Sequence, residues 1–426
     1  MSDIESDKAD LAAYEESEPD FLEGSKFFPS PNMEFLRSRQ KQNQEIAIIR
    51  TSDRTTYRRC RRKWNWSQAS RGNRRSKSES GPFWLGTGMH FAFEDYHGYH
   101  RFDSMVDSLK AYASATQKTQ LDLPSDLDEL LQLGCGMLDY YESWLATREP
   151  LQTLWIDGVP QVEVPVIIEI PKEDLLRAGC PERVLSLYSH IYYSATLDRV
   201  TIDSYSRLWL CEYKSAKNYQ WFHLDTDQQV TSYSWTLTIK YPNYAIAGCC
   251  YQQHKKRAPK SPDWVASRKM FSTSKSQKTT YALYKTALIN AFGPTQLRWP
   301  EPNRLFLDYL TQNEALEGDF LIKRDYVERN EHQIRNEYRK MLLEISEMLD
   351  PETRIYPNPT RDCRWDCTFQ VPCIHIDDGS DWKYELDSNF IERTAEEVQW
   401  RKYIIYPHLN FTDEMLKVTQ QTGRQT

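Results

Sequence analysis

The apolar positions change period along the chain. Between 104 and 148 they recur in steps of one helical turn: Leu123, Leu127, Leu130, Leu131 and Leu133, then Met137, Tyr140, Tyr141 and Trp144. That spacing lines one face of a helix, so two helices are expected there. From 161 the steps shorten. QVEVPVIIEI (161–170) partly alternates, and YYSATLDRVTID (192–203) and RLWLCEYKSA (207–216) read as strands joined by the short turn Ser204-Tyr205-Ser206, a hairpin. YAIAGCCYQ (244–252) reads as a buried strand. FLIKRDYVER (320–329) reads as a strand leading into a long helix, 328–349, stopped by Pro351. Further helices are expected at 50–66, 83–100, 225–240 and 279–291, with polar basic loops at 67–82 and 254–278.

At 426 residues the chain can bury a large core, enough for two or three domains or one elaborated one. The formal charge of −7 is unevenly spread. Residues 1–25 hold nine acidic side chains and one Lys, and residues 377–426 hold ten acidic and six basic groups. The remainder is net positive, so an acidic total does not argue against nucleic acid. The expected organisation is an acidic flexible arm over 1–45, a folded unit over 46–376 and an acidic extension over 377–426. No apolar run approaches the ~18 residues of a membrane span. The N-terminus has neither the basic nor the apolar region of a secretory signal, which points to the cytoplasm. Nine cysteines there favour metal binding, catalysis or burial over disulfides.

The hairpin carries the first candidate chemistry. With a loop of Ser204 to Ser206, Asp203 faces Arg207 and Asp198 faces Glu212, and Lys214 shares the face of Glu212. Two carboxylates held that close are costly unless a cation lies between them, and Mg²⁺ or Mn²⁺ suits oxygen ligands. The alternative is a solvated strand face with a Glu–Lys pair. Upstream, GTGMHFAFE sets Gly86, His90 and Glu94 on one helical face, and Gln229 and Tyr233 are again four apart. Near the C-terminus RDCRWDCTFQVPC brings Cys363, Cys367 and Cys373 together, while Cys60 lies far upstream in TYRRCRRKWNW. One thiol plus three suggests a cluster clipping the two ends of a domain. Cys135, Cys180, Cys211, Cys249 and Cys250 read as buried thiols, with Cys211 facing away from Glu212.

The order G-x3-H-x3-E, then D, then E-x-K, then Q-x3-Y, then clustered Cys resembles the RecB-like branch of the PD-(D/E)XK nuclease superfamily. It is closest to its iron–sulfur members: the AddB-type helicase-nucleases, the CRISPR-adaptation nucleases and the tailed-phage exonucleases. The resemblance covers residues 50 to 376. It implies an α/β fold, a PD-(D/E)XK core with a mixed central sheet flanked by helices. A helical insertion (104–150) and a C-terminal part (357–376) stapled by a four-cysteine cluster complete it. It also implies roles. His90, Asp198, Glu212 and the carbonyl of Tyr213 match the metal ligands. Lys214 matches the lysine that orients the attacking water and offsets charge at the phosphate. Gln229 and Tyr233 match the motif that positions substrate and lysine. Glu94 matches a supporting group, and Glu163 is a weaker candidate for the same task. Cys60, Cys363, Cys367 and Cys373 match a [4Fe–4S] staple, although Cys363 and Cys367 have three residues between them where the family more often has two. Structural Zn²⁺ is the alternative.

The basic stretches suit a single-stranded channel. Residues 54–77 hold ten Lys/Arg and no acid, interleaved with Tyr57, Trp64 and Trp66. Residues 254–278 hold eight Lys/Arg and one Asp, with Trp264 and Phe271. Phosphates would meet Arg58, Arg62, Lys63, Arg74, Arg75, Lys255 and Lys256, and bases would stack on the aromatics; the alternative packs the aromatics in the core. The resulting expectation is a metal-dependent DNA exonuclease acting on ends or single strands, in phage-type recombination, repair or replication, in a bacterial or phage-infected cytoplasm. The alternatives are an endonuclease on structured or single-stranded DNA and a non-catalytic DNA-binding subunit. No P-loop is present, so a helicase or recombinase partner would supply unwinding.

Overall fold

The computed structural model describes residues 26–28, 46–77, 81–118, 123–148, 150–219, 223–317 and 321–393. Of the acidic arm expected over 1–45 only β1 (Lys26–Phe28) falls within these residues, as an edge strand. The body opens with β2 (Ile46–Arg50), α1 (Thr51–Arg59) and α2 (Arg61–Ser67). Asp53 starts α1 by accepting the Arg50 backbone N–H at 3.0 Å. The single helix expected at 50–66 is broken at Cys60. Its backbone is extended (φ −161°, ψ 113°), and its sulfur accepts the Lys63 N–H at 3.5 Å. β3 (Arg74–Ser76), α3 (Gly81–Glu94), α4 (Met105–Lys118), α5 (Leu127–Arg148), β4 (Val162–Glu169), β5 (His190–Ile202) and β6 (Arg207–Ala216) follow.

Next come α6 (Gln228–Lys240), β7 (Ala245–Lys255), α7 (Tyr281–Phe292), α8 (Glu301–Glu317), β8 (Ile322–Val327) and α9 (Glu331–Leu349). α6 and α9 begin three residues later than periodicity suggests, because Asp227 and Asn330 cap them through the N–H groups of Val230 (3.0 Å) and Gln333 (2.9 Å). α8 is an addition to the expected elements. With α7 it forms a small lobe between β7 and β8, cored by Tyr284, Leu288, Trp299, Phe306 and Leu307. The chain closes with α10 (Gln370–Asp378), α11 (Trp382–Asn389) and β9 (Phe390–Glu392). β9 pairs with β3, and Phe390 stacks on Phe369 at 4.6 Å. Residues 377–393 of the expected extension are therefore folded against the body.

The main sheet runs β1-β4-β5-β6-β7-β8, and β2 also pairs with β5. β6–β7 and β2–β5 are parallel and the other pairs antiparallel, so the sheet is mixed. One face packs against α1, α6 and α9 through residues such as Leu208, Leu210, Trp235 and Tyr338. The other packs against α3, α4 and α5 through Trp209, Cys211, Tyr213 and Phe93. Helices thus flank the sheet as expected. α3 approaches α4 closely at Gly88, where a Cβ would stand 2.7 Å from Leu109 and 2.9 Å from Tyr112.

Candidate active site

The hairpin has the expected register. Asp203 opposes Arg207, and Ser206 takes the left-handed φ of 60° that closes a three-residue loop. Asp203 pins the turn, accepting the N–H groups of Tyr205 (2.9 Å) and Arg207 (3.0 Å) and the Trp209 indole (3.1 Å). The β5–β6 ladder runs from Ile202↔Leu208 to Arg199↔Cys211 and stops there. Asp198 and Glu212 occupy the next step, where the strands part. Alternation in β6 sends Leu208 and Leu210 to one core and Trp209, Cys211 and Tyr213 to the other. Glu212 and Lys214 therefore share a face and Cys211 lies opposite.

Three side chains from three elements converge where the strands part. His90 Nδ1 of α3 lies 2.8 Å from Glu163 Oε1 of β4 and 3.6 Å from Asp198 Oδ1 of β5. Asp198 Oδ2 accepts the Tyr213 backbone N–H at 2.8 Å. Glu163 reaches the imidazole from a left-handed backbone, φ +46°, and the β4–β5 ladder skips it between Val162↔Arg199 and Val164↔Leu197. Such a conformation costs on the order of 1–3 kcal/mol for a residue with a side chain. Strand alternation alone makes Glu163 the weaker supporting candidate; the geometry sets it directly against His90. The signal in sequence is a carboxylate set between the apolar Val162 and Val164 of the strand.

Glu212 is buried (1 % exposed) and sits beside this group, outside it. Its Oε1 accepts Lys214 Nζ and, at 3.2 Å, Gln229 Nε2, which also donates to Tyr233 Oη at 2.9 Å. Its Oε2 has no hydrogen-bond partner. Tyr213 turns its ring into the core against Phe93 and His97. Glu94 lies one turn beyond His90 on α3, half-buried and outside the converging group.

The electrostatics follow from burial and crowding. Burial, then the Glu212 carboxylate, push the Asp198 carboxyl up to about 8. Burial disfavours charge on His90, but Asp198 and Glu163 outweigh it and hold the imidazole at about 9. Burial also works against the Lys214 ammonium, yet Glu212 and Asp198 hold its pKa well above the usual lysine range. Such shifts mark a site short of positive charge. Within the described residues, His90, Glu163 and Asp198 are the one group of three or more His, Cys, Asp or Glu whose ligand atoms lie within 4.8 Å of one another. Two carboxylates and an imidazole, with an unpaired carboxylate oxygen of Glu212 nearby, fit a hard divalent cation. The site opens into a cavity of about 780 Å³ whose lining includes His90, Lys214, Phe83, Gly86, Lys256 and Arg364.

The four expected cluster thiols lie around the α1–α2 break and the C-terminal segment. Cys60 Sγ accepts the N–H of Asn358 (3.5 Å) as well as that of Lys63. Cys363 Sγ accepts the Thr360 N–H (3.3 Å), and Cys373 Sγ faces the Arg62 guanidinium at 3.1 Å. Burial pushes the Cys367 thiol up, and Cys363 and Cys60 are close enough to add to it.

The basic residues of 54–77 are engaged within the protein. Arg58 meets Gln228 and, at 3.3 Å, Glu344; Arg62 meets Asp377 (3.2 Å); Lys63 approaches Asp366 (3.9 Å); Arg74 meets Asp387 (3.1 Å). Arg75 pairs through its backbone with Ile391. Tyr57, Trp64 and Trp66 are core residues, which corrects the expectation that they stack bases. Their acidic and apolar partners come from residues far along the chain, so the local sequence looks like an open basic face. Lys255 lies over the Tyr219 ring, and Lys256 lines the cavity.

A sequence profile of the PD-(D/E)XK nuclease superfamily matches residues 51–374, most of the chain and all of the site, and the protein belongs to that superfamily. Membership implies a nuclease acting on DNA, and nucleases of this superfamily use divalent metal ions. A comparison with curated proteins gave no match. No helix among the described residues is long and apolar enough to cross a membrane.

Proposed function

We propose that this protein is a Mg²⁺- or Mn²⁺-dependent deoxyribonuclease of the RecB-like iron–sulfur branch, acting as an exonuclease on DNA ends or single strands. The observation that carries the reading is the convergence of His90, Glu163 and Asp198 beside the Lys214–Glu212 pair on the wall of an open cavity. His90, Glu163, Asp198 and Glu212 would hold the ion. When bound, it supplies Lewis acidity toward water and a phosphoryl oxygen. Glu163 fixes the His90 ring. Lys214, anchored by Glu212, offsets charge developing on the phosphate. Gln229 and Tyr233 hold Glu212 and so the lysine. Glu94 keeps the supporting role, and the Tyr213 carbonyl the place among the metal ligands, that the resemblance implies.

Cys60, Cys363, Cys367 and Cys373 would hold a [4Fe–4S] cluster as a staple between α1–α2 and the C-terminal segment. N–H donors aimed at three of the four sulfurs suit thiolates. Around one zinc, Zn–S bonds of about 2.3 Å bring the thiolates close together; no three of these sulfurs come within 4.8 Å of one another, which favours the larger cluster. A role in phage-type recombination, repair or replication, in the cytoplasm and with a helicase or recombinase, goes with this reading. The test is digestion of end-labelled linear, nicked and closed circular DNA with Mg²⁺ or Mn²⁺. Linear DNA should be degraded from its ends while closed circles, duplex or single-stranded, survive; rapid cutting of both kinds of circle would establish an endonuclease instead.

A further inference from the structure

α3 carries three phenylalanines with opposite fates. Phe91 and Phe93 are 2 % and 3 % exposed, while Phe83 is 62 % exposed and its ring meets no other aromatic ring among the described residues. Phe83 precedes His90 by two helical turns, about 10 Å along the axis, and both line the same cavity. Between them lies Gly86. A Cβ there would meet nothing within 4 Å, unlike one at Gly88 or Gly134 on the packed sides of the helices. Glycine in a helix interior costs stability relative to alanine, so the absent side chain at 86 serves no packing need and leaves space on the cavity side. Lys256 and Arg364 also line the cavity, and neither has an acidic partner among the described residues. Asp366 of the same lining is neutralised by Arg59 and Lys63.

We propose that Phe83 and Gly86 form a base slot for single-stranded DNA, in which one unstacked base lies on the Phe83 ring, the Gly86 gap admits it, and Lys256 and Arg364 hold the neighbouring phosphates. The occupant follows from the chemistry of the walls: an exposed aromatic face, cations without acidic partners, and continuity with a site suited to phosphodiester hydrolysis. A paired base would hide its face within the stack, so the slot selects unpaired ends. The inference rests on the nuclease reading of the His90–Lys214 site.

The experiment uses full-length protein and single-stranded oligonucleotides, intact or carrying one abasic residue moved stepwise along the strand. Binding is read by fluorescence anisotropy in EDTA and cleavage by end label with Mn²⁺. Removing the base at one register should weaken binding by roughly tenfold, the scale of a single base–aromatic stack. Phe83→Ala should abolish that dependence and Phe83→Trp should keep it. Gly86→Leu should weaken single-strand binding while its melting temperature stays equal or rises. An unchanged melting temperature and Mn²⁺ affinity in Phe83→Ala exclude a folding defect. Wild-type protein that cleaves yet is indifferent to base removal at every register, or Phe83→Ala that keeps the discrimination, overturns the slot and leaves the nuclease standing. Discrimination in binding that depends on Phe83, in a protein that cleaves no nucleic acid, supports the slot and removes the nuclease reading.

Discussion

Glu163, partly buried, and Glu212, fully buried, are both carboxylates of the site, but their partners differ. Glu163 bonds His90 from a strained backbone, whereas Glu212 is tied to Lys214 and Gln229. Glu163→Gln should therefore weaken Mn²⁺ binding by roughly 10–100-fold, the scale for losing a carboxylate that supports a metal site; unchanged affinity by calorimetry would remove it from the ligand set. Lys214→Ala should cut cleavage by about 10²–10³-fold while DNA binding in EDTA stays near wild type. Mutant turnover equal to wild type would end its assignment. The crowding of charge in the site gives a third expectation. With Asp198 held at about 8 and His90 at about 9, the metal-free site retains protons at neutral pH. A cation must displace them, so Mn²⁺ affinity should rise as pH climbs through neutrality and level off above about 9. Calorimetry in buffers of different ionisation enthalpy would count the protons released; none released at neutral pH contradicts the assignment.

At the scale of elements, a buried ionic network braces the helix that carries Gln229 and Tyr233. Arg54 of α1 is 1 % exposed and donates to Ser232 of α6 and to Glu337 and Glu344 of α9 at 2.7–2.8 Å. Arg54→Met would leave Glu337, itself 2 % exposed, without its countercharge. Removing one partner of a buried pair costs about 3–5 kcal/mol, which denaturant unfolding would detect as a lower midpoint. A loss below about 1 kcal/mol, the surface-pair scale, would mean that water reaches the network. The hairpin has a similar local brace in Asp203, whose acceptor bonds set the register that puts Asp198 beside Glu212.

Across the whole molecule, the N-terminal and C-terminal parts of the described chain meet. β3 pairs with β9, Trp66 packs on Phe369, and Arg59 and Arg62 bond Asp366 and Asp377. A cluster on Cys60, Cys363, Cys367 and Cys373 would close this clasp over a very long loop, where cross-linking stabilises most in principle. Anaerobically purified protein should be brown with about four irons per chain, and Cys363→Ser should lose the colour and melt at lower temperature. Colourless soluble protein with stoichiometric zinc would overturn the iron–sulfur reading and leave the nuclease standing.

What the sequence determined by itself was set by neighbours in the chain, although the break at Cys60 and the caps Asp227 and Asn330, equally local, moved helix ends from where periodicity alone put them. The three-residue turn at 204–206 sets the register of Asp198 against Glu212, strand alternation puts Lys214 beside Glu212 and Cys211 opposite, and four-residue helical spacing joins Gln229 to Tyr233. These are consequences of backbone period and turn geometry, which act over a few residues. What tertiary structure decided were contacts between distant segments. Arg59, Arg62 and Arg74 find acids more than 300 positions away, so an apparently open basic face became the inner side of a clasp. Likewise, Glu163 meets His90 because β4 bends at that residue and β5 parts from β6 one step beyond Arg199. That divergence arises from how three strands and a helix pack together, and no local pattern of residues encodes it.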